Sequence, residues 1–492
     1  MISWFQVCGI SLGLLSLGAR AESSAESIAR ATAAMQAATP RAQADPAHPI
    51  FHVTSPAQWM NDPNGPIYYH GIYHLFYQLQ PFSDGDGPKF WGHVRSRDLV
   101  KWEHLPIALC PSTEVDEAGV WSGCCTINGL GQPMIFYTSV VRNQPPRTHS
   151  EQWAAIGDDN LISWQKLSNN PVLSQTLHGD RKIFEWRDPF IFKEGGRTFL
   201  VAGGNLNETR GGQAVVNIYE AQNPGLTQWK YRGILFHLPD ANTPTAECPN
   251  FFKVGKHWVL LVSPYGHVQY FVGDFNADTC RFQIQNRGIL DCGSFYAPNT
   301  MQMPDGERIM WGWINGFPSG HGWNGCLSVP RVLTLSRDEQ LCQTPAPQLR
   351  KLRDHRDAWR NIPLSTAPTT LQLPPTNALE ILAEIDLPEA GQITLRFKRA
   401  GDEASSLPIS LSDTEFKMLD ASSPMPAMAK DHARRLHIFI DRSVVEVFVN
   451  DQICATKVIS PFDGKPTLEI SATGAGATAK RIEAWSMKSI WE

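Results

Sequence analysis

"DLVKWEHL" at 98–105, "NLISWQKL" at 160–167 and "GLTQWKYR" at 225–232 share a leucine, two spacers, a tryptophan and a nearby basic residue. The tryptophans, Trp102, Trp164 and Trp229, fall 62 and 65 residues apart. A period of about 60 leaves space between residues 50 and 345 for about five four-stranded units, which predicts a five-bladed β-propeller. The segments between agree: "GIYHLFYQL", "MIFYTSVV", "TFLVAGG" and "WVLLVSPYG" alternate with Gly, Pro, Asn and Asp clusters, and no amphipathic helix of three turns interrupts them. A chance likeness among strand-ending turns is the competing reading of so short a repeat.

On either side the character changes. Residues 1–21 carry an apolar run from Ile2 to Leu17 and an Ala19-Arg20-Ala21 processing pattern, which reads as a signal peptide although no Lys or Arg precedes the run. The chain is therefore expected to be secreted or periplasmic, with no membrane-spanning helix once the signal is removed. Residues 22–49 read as a helix, "AESIARATAAMQAA", ended at Thr39-Pro40, and a linker. Residues 346–492 read as a linker, with the Pro- and Thr-rich tract 361–376 as connector, and a β-sandwich. Within it, Ile438 and Ile440, then Val445, Val447 and Val449, recur at period two across an Asp441-Arg442 turn.

The 492 residues are 42% hydrophobic and only 18% charged, with a formal charge of -5, so nothing points to nucleic acid or an anionic membrane. A neutral ligand is expected. Sixteen tryptophans suit a β protein that offers flat faces to sugars, although any single ring can equally fill a core. Without Cys8 the remaining nine cysteines are irregularly spaced and form no CxxC pair, which implies buried thiols rather than a zinc or redox site. Spacing gives His70, His74, His93 and His104 no metal-ligand pattern either. Asn207-Glu208-Thr209 is a glycosylation acceptor only in a suitable host.

Three acidic residues stand in unusual company: Asp62 in "WMNDPNGP", Asp188 in "EWRDPF" and Glu247 in "AECPNFF". Each is followed by Pro at once or one residue later, at a probable blade entrance. Asp-Pro by itself forms turns. A propeller, however, aims the starts of its inner strands at one channel, so carboxyls distant in sequence can converge there. Glycoside cleavage needs such a pair, one to protonate the departing oxygen and one to meet the positive charge at the anomeric carbon.

"WMNDPNG", "RDP" and "EC" in this order, with "KFWGHVRSRDLVKWEHLPIAL", "VWSGCC", "SFYAPNT", "MWGWI" and "LHIFIDRSVVEVFVND", closely resemble glycoside hydrolase family 32, the invertases, levanases and inulinases, over nearly the whole chain. The resemblance implies a propeller followed by a sandwich, and no metal or other cofactor. It implies Asp62 as nucleophile, Glu247 as general acid/base and Asp188 as transition-state stabiliser, with Asn61, Gln78, Trp91, Ser122, Arg187 and Tyr296 around a fructose. Trp59 and Trp313 stack on sugar or merely cover the channel wall. Without the family, Gln78 reads as a strand polar, Ser122 as a turn hydroxyl and Trp91 as blade packing.

The implied activity is hydrolysis of the terminal β-D-fructofuranoside of sucrose, and of levan or inulin, with retention; that requires carboxyls about 5–5.5 Å apart. Cys248, Phe251 and Phe252 are expected to limit solvation of Glu247. Ala246, Asn250 and Trp186 depart from the family pattern, as does "WSGCC", and are expected near the rim on the leaving-group side. A fructosyltransferase and a non-catalytic fructan-binding protein remain the alternatives.

Overall fold

The computed structural model describes residues 22–142, 149–208, 212–240, 242–388, 391–399, 402–426, 433–462 and 465–491. The apolar run from Ile2, the Ala19-Arg20-Ala21 pattern and Thr209 of the glycosylation acceptor lie outside them. Five sheets, each built on four antiparallel strands, follow one another. Blade I comprises Gln58–Tyr69, Ile72–Gln80, Phe90–Ser96 and Trp102–Leu109; blade II begins at Glu117–Ile127, blade III at Phe184–Glu194, blade IV at Glu247–Val254 and blade V at Phe295–Gln302. The ring closes where Trp323 and Asn324, from a blade V connection, pair in parallel with Gln58 and Trp59.

The Leu-x-x-Trp repeat is the turn into the outermost strand of blades I, II and III. Leu99, Leu161 and Leu226 are buried in the left-handed region at φ +64, +59 and +55. Each indole N–H of Trp102, Trp164 and Trp229 donates to the carbonyl of that leucine, at 3.3, 2.9 and 2.9 Å. Asp98, Asp158 and Asn223 accept the backbone N–H groups that the turn leaves over. A leucine at positive φ is strained, and the tryptophan bonds and buries the same turn.

Two six-stranded sheets form the C-terminal sandwich, and Ile438, Ile440, Val445, Val447 and Val449 fill the core between them as their alternation predicts. The connector lies elsewhere than expected. Pro347–Leu352 makes a 3-10 turn between the last blade and the sandwich, whereas the 361–376 tract belongs to the sandwich, with Thr369–Gln372 paired to Pro466–Thr473. The helix also outruns its predicted end: it spans Ser24–Ala44 through Pro40. Proline there removes one N–H, but Arg41 bonds the Gly320 carbonyl, Ala42 is buried, and Asp45 accepts from the Trp323 indole at 2.9 Å. Those contacts hold the last turn in place.

Sandwich and propeller meet across a polar core in which every charged side chain is fully buried. His52 lies 2.8 Å from Asp441 and 2.9 Å from Glu446; Arg331 spans Glu446 and Asp291. Burial opposes protonation of His52, yet the two carboxylates outweigh it and push the imidazole up to about 9. Of the four histidines singled out in the sequence, His70 is exposed beside Tyr69. His74 and His93 face each other at 3.0 Å, and His104 stacks on Trp491.

Because the folded His52 value lies above that of a free imidazole, near 6.5, its contribution to stability is complete below about pH 6.5 and is lost as pH rises through 9. Thermal melts should therefore show Tm falling across that window, and His52→Gln should flatten the fall. Glu446→Ala leaves Arg331 and His52 without their shared carboxylate and should cost about 3–5 kcal/mol in urea unfolding.

Candidate active site

Each inner strand is bulged near its start by one extra residue, between Met60 and Pro63, Val120 and Gly123, Arg187 and Phe190, Glu247 and Asn250, and Tyr296 and Asn299. Asp188, Cys248 and Ala297 take positive φ there, +62, +46 and +46. Regular strands send successive side chains to opposite faces; the bulge breaks that alternation. Neighbouring pairs therefore reach the channel together: Asn61 with Asp62, Trp121 with Ser122, and Arg187 with Asp188 all line one cavity of about 760 Å3.

The bulge has a sequence mark that the three acidic residues only partly disclose. "DPN" at 62–64, "DPF" at 188–190, "CPN" at 248–250 and "APN" at 297–299 occupy it in four blades, and "SGC" at 122–124 in the fifth. Gly123 stands where the others have proline because a Cβ there would lie 1.9 Å from the Phe136 carbonyl oxygen. The cysteines that set "WSGCC" apart from the family pattern are not at the rim: Cys124 is buried in the core that blades II and III share.

Asn61, Asp62, Gln78, Ser122, Arg187, Asp188, Glu247, Tyr296 and Trp313 line the cavity, and Trp59 meets Trp313 edge to face at 5.8 Å on its wall. Trp91 does not. It is fully buried, donating to the Trp121 carbonyl at 3.1 Å, and so supports the wall from behind, in agreement with its reading as blade packing. Trp121, Tyr265, Lys89, Asp86 and His267 also line the cavity and were not foreseen. Trp121 alone had a signal, its place in the bulge of "VWSGCC".

Asp62 is held by donors on both oxygens. Asn61 donates to one at 3.1 Å and the Ser122 hydroxyl to the other; Gln78 links these two side chains, accepting from Asn61 at 2.8 Å and donating to Ser122. Asp188 accepts from the Cys248 backbone N–H at 2.9 Å, and the Cys248 thiol sits between the acids, 3.6 Å from Asp62 and 3.7 Å from Asp188. Glu247 faces polar groups, accepting from Arg187 at 2.8 Å and from the Tyr296 hydroxyl at 2.5 Å. Arg187 bonds Glu185 at 2.6 Å and the Tyr265 hydroxyl at 2.8 Å as well.

The expected shielding of Glu247 is not present. Cys248 turns to the two aspartates, Phe251 stacks on Trp258 and Phe252 lies under Arg308, because alternate residues of this strand face the blade cores. Burial acts on the two aspartates. Burial pushes Asp62 up, opposed by the Ser122 hydrogen bond and reinforced by the charge of Glu247. Burial likewise pushes Asp188 up to about 7, with Arg187 opposing and Glu247 and Asp62 adding. Burial and the Glu247 charge also push the Tyr296 phenol far up, so it donates throughout the ordinary pH range.

Ala246, Asn250 and Trp186 are likewise not at the rim. Ala246 and Trp186 are fully buried in the core shared by blades III and IV, and Asn250 ties Cys248 to blade V through the Pro298 carbonyl at 3.0 Å. The ring exposed at this part of the rim is Tyr265.

Two family models match the chain: the glycosyl hydrolases family 32 N-terminal domain over residues 52–345 and the family 32 C-terminal domain over 348–486. A sucrose-6-phosphate hydrolase of Bacillus subtilis is 31% identical over 91% of this chain and 96% of its own. A levanase of the same organism is 30% identical over 90% and 71%. Among solved structures, a Bombyx mori family 32 β-fructofuranosidase in complex with sucrose superposes with a TM-score of 0.80 at 24% identity, covering 95% of this chain and 99% of that one.

Asp188 should titrate near pH 7 in carboxyl 13C NMR of aspartate-labelled protein. Arg187→Gln, which removes the opposing charge, should move that midpoint higher.

Proposed function

Because the chain belongs to glycosyl hydrolase family 32, and is a glycoside hydrolase of the invertase type, we propose that it removes the terminal non-reducing β-D-fructofuranosyl unit of sucrose and of fructans such as levan and inulin, by double displacement with retention. The observation that carries this reading is the meeting of Asp62, Asp188 and Glu247 at one cavity floor, with donors aimed at each. The names of the relatives support the substrate class.

Asp62 attacks C2 of the fructosyl unit while Glu247 gives its proton to the bridging oxygen, and the aglycone leaves. Water then attacks C2 of the fructosyl ester as Glu247 takes its proton, so the carboxylate of Asp62 is regenerated and the acid restored. Asn61 takes one lone pair on one oxygen of Asp62, and Ser122 and the Cys248 thiol take both on the other, which leaves one direction for the sugar. Asp188, two bulges away, faces the same space and accepts sugar hydroxyls as positive charge grows on the ring. Arg187 and Tyr296 together hold Glu247 by both oxygens. The leader at 1–21 would carry the enzyme out of the cytoplasm, to where sucrose and fructans are met.

Fructose should appear from sucrose, levan and inulin in product analysis, and as the β-anomer before mutarotation by NMR; growth of longer fructosides would mark transfer instead. Asp62→Asn should lower kcat by about 10^3-fold or more while sucrose binding persists in calorimetry, which separates an enzyme from a fructan-binding protein. Glu247→Gln should cost about 10^2–10^4-fold. The Ser122 hydrogen bond favours the ionised Asp62. Ser122→Ala should therefore shift the acid limb of kcat/KM to higher pH, a movement that a purely structural loss of folded enzyme would not produce.

A further inference from the structure

We propose that the cavity is built for an uncharged aglycone, so that its substrates are unphosphorylated fructosides such as sucrose rather than sucrose 6-phosphate. This inference rests on the fructosidase reading and concerns the same cavity. Four carboxyl groups line it, those of Asp62, Asp86, Asp188 and Glu247, against two permanent cations, Lys89 and Arg187.

Both cations are already engaged. Arg187 directs Nη1 to Glu185, Nη2 to Glu247 and to the Tyr265 hydroxyl, and Nε to Glu247, so its planar fork is closed to a phosphate. Lys89 is buried along its stem, its ammonium lies 5.5 Å from the centre of the Trp59 ring, and Asp86 holds that ammonium from the solvent side. His267 stands exposed at the rim.

A phosphate dianion entering here has two courses. It displaces Asp86 from Lys89, or it lies in a partly dry pocket beside Asp62 and Asp188, where like charges repel in a medium that screens them poorly. Sugar hydroxyls meet no such penalty, since they donate to carboxylates and accept from Lys89 alike. Asp86 is thus a positioning residue: it acts through Lys89, and it sets which aglycone the cavity accepts.

The test is kcat/KM for sucrose and for sucrose 6-phosphate at pH 7.5, with wild type and Asp86→Asn. Wild type should favour sucrose by about tenfold or more, and added salt should narrow the ratio as the cavity charge is screened. Asp86→Asn frees Lys89 and removes one negative charge, so it should raise the relative rate on sucrose 6-phosphate several-fold, an effect that general destabilisation, which lowers both rates together, would not give. Preference of the wild type for sucrose 6-phosphate, or an unchanged ratio in Asp86→Asn, would overturn the proposal. Release of fructose from neither compound would overturn the fructosidase reading beneath it.

Discussion

The bulge near the start of each inner strand is the constraint on which the site depends. A propeller brings five strand ends to one axis, but a regular strand would show the axis only every second side chain. With one extra residue per strand, consecutive side chains reach the channel, and Asp62, Ser122, Arg187, Asp188 and Glu247 crowd into a single cavity. Crowding then dictates the electrostatics. Aspartates taken out of water beside a third carboxyl are pushed up, and the Asn61, Ser122 and Cys248 donors and the Arg187 guanidinium keep the cluster from expelling its charge.

The closure of the ring sits next to this cluster. Trp59 pairs with Asn324 across the seam, and Asn61 and Asp62 follow it on the same strand. Other contacts brace the seam from outside. Asp45, at the end of the helix, holds Trp323; Asp84 accepts from the N–H groups of Gly320 and Gly322; and the buried His52 links the segment leading into blade I to the sandwich. The sandwich thus reaches the segment that leads into blade I, although none of its described residues lines the cavity.

Much of this was legible in the chain. The Leu-x-x-Trp repeat disclosed the propeller because each blade solves the same turn in the same way, with a left-handed leucine bonded by an indole. Period-two valines and isoleucines disclosed the sandwich. The three acids and most of their neighbours were legible from the "WMNDPNG", "RDP" and "EC" segments. Trp91 was misplaced because a tryptophan on a middle strand of a blade reads alike whether its ring faces the cavity or the layer behind it. The environment of Glu247 was misjudged for a related reason, since past the bulge Phe251 and Phe252 turn into the cores on either side of the blade.

By itself the sequence determined the elements and the chemistry on offer: where strands turn, which faces are apolar, and which carboxyls stand beside prolines at strand starts. Those are local properties, fixed by side-chain volume, backbone preference and spacing. Only the tertiary structure decided that burial pushes Asp62 and Asp188 up and that Arg187 and Tyr296 hold Glu247. Desolvation and charge pairing depend on distances between blades some 60 residues apart in the chain, and no local pattern encodes them.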